Sequence, residues 1–142
     1  MKMMQINKLK QPLFTKKPWG SEIIWALNDN FIAKTIDVHN GCQTPLLIHQ
    51  EKVKVIKVVQ GPLYLIFGDY IHDAVISTKT LSTYKLPAGW TWPIDPGTVH
   101  QYKAIDNDVV LEEISTPQLD DTIILVDEEI GEIPTTVTEI EN

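Results

Sequence analysis

The chain is interrupted too often to be helical. From Ser21 to Ile114, apolar runs of five to eight residues alternate with polar punctuation. The breaks are Asn28-Asp29-Asn30, His39-Asn40-Gly41, Gln50-Glu51-Lys52, Gly61-Pro62, Pro87-Ala88-Gly89, Asp95-Pro96-Gly97 and Asp106-Asn107-Asp108. Gly, Pro, Asn and Asp supply the backbone angles of tight turns. No stretch before residue 118 keeps a 3.6-residue period. The runs read instead as strands over 21–27, 31–38, 43–49, 53–59, 63–68, 81–86, 90–94, 99–105 and 109–114. Asp69 to Thr80 is less regular and reads as a meander. Many short strands at even spacing predict an all-β sandwich or barrel.

With 142 residues, one domain is expected, and 43% apolar content is enough for a core without staples. No run approaches the roughly 18 apolar residues of a membrane helix. Residues 1–17 read as a lysine-rich arm docked by Leu9, Leu13 and Phe14, and they lack the apolar centre of a secretory signal. Residues 18–127 form the expected barrel, and residues 128–142 an acidic tail. A net charge of −7 argues against nucleic acid as a partner. The single cysteine, Cys42, excludes an internal disulfide and fits a cytoplasmic location. All twelve basic side chains are lysine. With no arginine fork for bidentate contacts, any anion here must be met by lysine or backbone N–H groups.

Histidine placement points to a pocket. His49 ends one strand, and His100 begins another after Pro96-Gly97-Thr98-Val99. Residues i and i+2 share a strand face, so Leu47 goes with His49 and Tyr102 with His100. Two imidazoles converging from separate strands can share a ligand or a metal.

The pattern resembles the cupin superfamily, and within it the mannose-6-phosphate isomerase-like single-barrel cupins. The resemblance covers roughly residues 17 to 127. It rests on Lys17-Pro18-Trp19-Gly20-Ser21-Glu22 with Trp25, on Gly41…His49…Gly61, on Pro96 to His100, and on Glu113-Ile114-Ser115-Thr116-Pro117-Gln118-Leu119-Asp120-Asp121. It implies a double-stranded β-helix, or jelly roll, often dimeric, whose chemistry is aldose–ketose isomerisation by metal-assisted proton transfer. It also implies a divalent metal held at the positions of Leu47, His49, Lys54 and His100. Two of these, His49 and His100, are the expected ligand type. Leucine has no lone pair to offer, and the lysine ammonium has three donors and no acceptor.

The expectation is therefore a degraded metal site, with either no cofactor or a weakly held divalent transition metal. An inward Lys54 requires a partner, and Glu113 is the candidate, with Glu112 on the opposite face. Where the family tends to carry arginines, this chain has Gln101, Ile124 and Glu132. Aromatic stacking and neutral hydrogen bonds then become the means of holding a sugar or sugar-phosphate-like ligand, with Tyr102, Glu113, Trp92 and Tyr64 as ligand-binding candidates. His49, His100 and Lys54 are the catalytic candidates. Two alternatives stand beside simple binding: an active metal-dependent isomerase, and a metal-free isomerase or epimerase with a histidine base and Lys54 or Tyr102 as acid. A homodimer is expected, with no membrane partner.

Overall fold

Alternation with a period of two shapes the central strands. Lys54, Ile56 and Val58 are buried on one face, while Val55, Lys57 and Val59 are exposed on the other. The computed structural model describes residues 10–69, 81–126 and 137–139. Twelve strands lie among them: β1 (Leu13–Lys17), β2 (Gly20–Leu27), β3 (Ile32–Val38), β4 (Leu46–His49), β5 (Lys54–Gln60), β6 (Leu63–Asp69), β7 (Leu81–Leu86), β8 (Thr91–Ile94), β9 (Thr98–Lys103), β10 (Val109–Ser115), β11 (Thr122–Val126) and β12 (Val137–Glu139).

The strands make two six-stranded sheets, ordered β1-β2-β3-β10-β5-β8 and β11-β4-β9-β6-β7-β12. Every pairing is antiparallel except β12 on β7. Neighbours such as β10 and β3, or β4 and β9, are far apart in sequence, as a jelly roll requires. Ile36, Val38, Ile56, Val58 and Leu111 from the first sheet pack on Leu63, Leu65, Leu86 and Tyr102 from the second. That core fills one part of the barrel. A second cluster of Leu46, Ile48, Ile66, Leu81 and Val99 lies on the opposite face of the second sheet.

Gly20 shows why Trp19 is followed by glycine. A Cβ there would lie 1.9 Å from the Asp37 carbonyl oxygen, and φ is +153°. The close approach lets β2 pair with β3 while Trp19 stays in the core.

The arm differs from expectation. Leu13 and Phe14 are 49% and 64% exposed and do not dock it. The five-residue ladder from Leu13↔Ile24 to Lys17↔Gly20 holds this segment instead. Trp19 is buried, whereas Trp25 is largely exposed. Leu9, His72, most of the 69–80 meander and Glu132 lie outside the described residues. Within the acidic tail, β12 runs along the β7 edge.

Candidate functional site

The polar side chains gather where the core stops. His49 and Leu47 point inward from β4, and Leu47 pairs with His100 of β9. Lys54 of β5 lies opposite Ser115, while Glu113 of β10 lies opposite Ile56. Lys54 and Glu113 are thus diagonal neighbours on one sheet face, within reach of a long side chain. These groups border a cavity of about 290 Å³, at the small end for ligand pockets.

Lys54, Glu113, His100 and His49 are only 6%, 3%, 2% and 7% exposed. Lys54 does not snorkel to water; its Nζ lies 3.1 Å from Glu113 Oε2. The same Oε2 accepts a hydrogen bond from the Tyr102 hydroxyl. Burial pushes the Glu113 carboxyl up, but Lys54, Lys34 and the two hydrogen bonds outweigh it and bring it down to about 2. Burial and the facing carboxylate raise Tyr102 well above the phenol range, so it stays a donor. Burial lowers the Lys54 ammonium, and Glu113 opposes that shift. The result is a carboxylate clamped between an ammonium and a phenol.

A second ion pair flanks the first. Lys34 Nζ lies 2.7 Å from Glu22 Oε1. Burial works to lower Lys34, but Glu113 and Glu22 together hold it above its ordinary range. Glu22 and Lys34, whose role was not legible in the sequence, are therefore part of the pocket wall.

Both imidazoles are neutral. The ring centroids stand 5.3 Å apart. Burial first, and then the Lys54 ammonium, depress His49 to about 2 and His100 to about 3. His100 Nδ1–H donates to the Thr98 carbonyl at 3.0 Å, which leaves Nε2 as a lone pair. His49 Nδ1 shares a 3.0 Å hydrogen bond with the Thr122 hydroxyl. The Nε2 atoms of both rings are buried and have no hydrogen-bond partner among the described residues. Buried polar atoms of this kind are uncommon and mark places where something else binds.

Other residues set this geometry. The Tyr102 N–H donates to Thr44 Oγ1 at 2.9 Å, and the Thr44 N–H donates to the Tyr102 carbonyl at 2.9 Å. Asp121 accepts from the N–H groups of Glu51 and Lys52 at 2.9 and 2.7 Å, fixing the turn between His49 and Lys54. Thr122, Thr44 and Asp121 have no signature of their own in the sequence, although Asp121 closes the Leu-Asp-Asp string that carried the resemblance.

The structure brings His49, His100, Lys54, Tyr102 and Glu113 to one cavity, with Leu47 in its wall. Two ligand-binding candidates do not line it. Trp92 packs into an aromatic cluster, its ring centroid 4.8 Å from Tyr84 and 5.5 Å from Phe67. Tyr64 lies on the sheet face opposite Leu65 and Tyr102, beneath the Lys85 ammonium. Gln101 likewise faces away from the cavity, donating to the Thr44 carbonyl at 2.7 Å. Ile124 adds an apolar side chain to the cavity lining.

These residues do not fit a four-ligand divalent centre. Leu47 cannot coordinate. Lys54 brings a positive charge where the resemblance implies an anionic ligand, and its counter-charge is already engaged with Tyr102. Among the described residues, no group of three or more His, Cys, Asp or Glu converges.

No family model and no curated protein sequence matches the chain. Solved structures do match in fold. CapF from Staphylococcus aureus, a capsular polysaccharide assembling protein, superposes with a TM-score of 0.69 at 18% identity, over 82% of this chain and 34% of its own. KdgF from Halomonas sp. gives 0.61 at 17% identity, over 75% of this chain and 87% of its own. Oxalate decarboxylase from Lactobacillus farciminis gives 0.63 at 16% identity, over 80% and 33%. The chain spans about a third of the length of CapF and of the decarboxylase. All three are cupin-fold proteins, and at these identities the likeness is one of fold. Two facing, mainly antiparallel sheets, crossed strand order and these neighbours together give this chain the fold of a cupin-type jelly-roll barrel.

Proposed function

We propose that this chain is a ligand-binding cupin of the mannose-6-phosphate isomerase-like kind, and that it takes a sugar or sugar-phosphate-like small polar molecule in the barrel. The observation that carries this reading is the pair of buried His49 and His100 Nε2 atoms that lack partners beside an open cavity. The hydroxyls of a polyhydroxylated ligand can donate to His100 Nε2 and can donate to or accept from His49 Nε2. CapF, a polysaccharide assembling protein of the same fold, is in keeping with it. The metal site is degraded in this reading, because Leu47 and Lys54 stand at two of its four positions.

Binding is favoured over turnover by a histidine base. An imidazole pushed down to about 3, as at His100, resists taking a proton at neutral pH and lies far from the range that suits a general base. The reading also includes a cytoplasmic homodimer, for which the exposed Leu13 and Phe14 of β1 offer apolar surface to a second copy. The test is a thermal-shift screen of sugars and sugar phosphates, with and without added divalent metal, alongside elemental analysis of the purified protein. Stabilisation without metal is expected. A stoichiometric transition metal that disappears in His49→Ala would overturn the degraded-site reading, and no shift with any sugar would overturn the binding reading.

A further inference from the structure

The charged residues of the cavity form a row across the first sheet. Directly paired residues share a sheet face, as do residues i and i+2 of one strand. Lys34 of β3 lies opposite Glu113 of β10, and Glu22 of β2 lies opposite Ile36, two places from Lys34. Lys54 of β5 lies opposite Ser115, two places from Glu113. At the other end, Lys17 of β1 pairs with Gly20, two places from Glu22. All five side chains therefore belong to the inward face, and all five line the cavity. In strand order they run Lys17, Glu22, Lys34, Glu113, Lys54, so the sign of the charge alternates across five neighbouring strands.

A row of odd length cannot pair off completely. Glu22 holds Lys34 at 2.7 Å, and Glu113 holds Lys54 at 3.1 Å. Lys17 is left over, and among the described residues it forms no ion pair. It is half-buried, whereas Glu113 and Lys54 at the far end of the row are buried, so Lys17 marks the solvent end. Its place is fixed all the same. It closes the β1–β2 ladder across the two-residue turn Pro18-Trp19, and Trp19 is buried in the core while also lining the cavity. The imidazoles make a different demand. His100 Nδ1 is taken up by the Thr98 carbonyl, its Nε2 has no partner, and the residue is only 2% exposed. A hydroxyl satisfies Nε2 whether or not that atom carries a proton, because a hydroxyl both donates and accepts. The same holds for His49 Nε2, whose ring is tied at Nδ1 to Thr122. One cavity thus suits hydroxyls at the two histidines and an anion at Lys17.

We infer that Lys17 is the residue that recognises ligand charge: a polyhydroxylated ligand enters with hydroxyls towards His49 and His100 and keeps an anionic group, phosphate or carboxylate, against the Lys17 ammonium at the solvent end. This rests on the sugar-binding reading above and adds to it an anion-binding residue and an orientation. Lys34 and Lys54 already have their carboxylates and contribute no free charge. With no arginine in the chain, the contact is a charge-assisted hydrogen bond from an ammonium.

Isothermal titration at low and at physiological salt tests it, with glucose, glucuronate and glucose 6-phosphate as one set and galactose, galacturonate and galactose 6-phosphate as another. At low salt an anionic member of a set is expected to bind at least about fivefold more tightly than its neutral parent, the order expected of one charge-assisted contact at a half-buried lysine, and to lose part of that advantage as salt is raised. The uronate and the 6-phosphate carry their charge at the same end of the sugar, so the tighter of the two identifies the anion. Lys17→Met is expected to remove the advantage while leaving the neutral sugar within about twofold, and Lys17→Arg to keep it. Lys16→Met, one residue away on the exposed face of β1, is expected to leave every affinity unchanged. Equal affinity for charged and neutral members, or a preference that survives in Lys17→Met, overturns the inference and leaves the sugar-binding reading intact. No binding by any of the six probes overturns both.

Discussion

Glu113→Gln is expected to destabilise the fold more than Lys54→Met, although each removes one half of the same ion pair. The structure supplies the asymmetry. Glu113 is served by Lys54 at 3.1 Å, by the Tyr102 hydroxyl, and by the charge of Lys34. Lys54 has Glu113 as its ion-pair partner, with Lys34 acting against it. Glutamine keeps an acceptor for Tyr102 but deletes the charge, leaving the Lys54 ammonium buried and uncompensated. Removing one partner of a buried pair costs about 3–5 kcal/mol. In Lys54→Met the remaining carboxylate keeps the Tyr102 hydrogen bond, worth about 1.5–3 kcal/mol for a charged acceptor. The cost is then expected to be smaller by about 1–2 kcal/mol. The double variant Lys54→Met/Glu113→Gln carries neither charge and is expected to recover about 2 kcal/mol relative to Glu113→Gln. Urea unfolding at pH 7 in EDTA, with all four proteins in a double-mutant cycle, reads these differences. A double variant less stable than Glu113→Gln alone would refute the argument, since it would mean that the ammonium is stabilising without its carboxylate.

Acid is expected to loosen the barrel before it protonates Glu113. The unfolded His100 imidazole takes a proton near pH 6.5, whereas the folded one resists until about 3, so stability is full above pH 6.5 and declines as pH falls below it. At pH 5 this one residue accounts for a loss of about 2 kcal/mol, measurable by urea unfolding at pH 7 and 5; a flat profile, or an unchanged slope in His100→Gln, contradicts it. Gly20→Ala is expected to cost more than about 3 kcal/mol, because its Cβ would meet the Asp37 carbonyl oxygen, and a melting temperature near that of the wild type would show the strand pair to be more pliant than its geometry implies.

Strand positions and several of the residues that line the cavity were legible because both depend on a period of two. Turn residues marked the strand ends. The i, i+2 rule put Leu47 with His49 and Tyr102 with His100, and an inward Lys54 named its own partner in Glu113. Aromatic character alone did not put Trp92 and Tyr64 in the cavity wall, for two different reasons. Trp92 has the inward face but sits where the aromatic core closes the barrel, and a face does not specify a depth. Tyr64 falls on the opposite face of a strand so apolar that its alternation is masked. Thr122, Thr44 and Asp121 were not legible because their bonds join residues 58 to 73 positions apart. Such contacts leave no local pattern. They follow from the strand order, which the resemblance implied and the turn signals alone did not.

The clamp on the turn after His49 bears on when the pocket comes into being. Asp121 holds the backbone at Glu51 and Lys52 from 70 and 69 residues further on, and Thr116 exchanges bonds with Val53 at 3.0 Å in both directions. Thr122 orients the His49 ring from the same segment. The wall carrying His49 and Lys54 can therefore take its final shape only after residues 116–122 have been synthesised and have closed a long loop back onto it. The ligand site is a late product of folding, and the amides of Glu51 and Lys52 should gain protection from hydrogen exchange only as that loop closes.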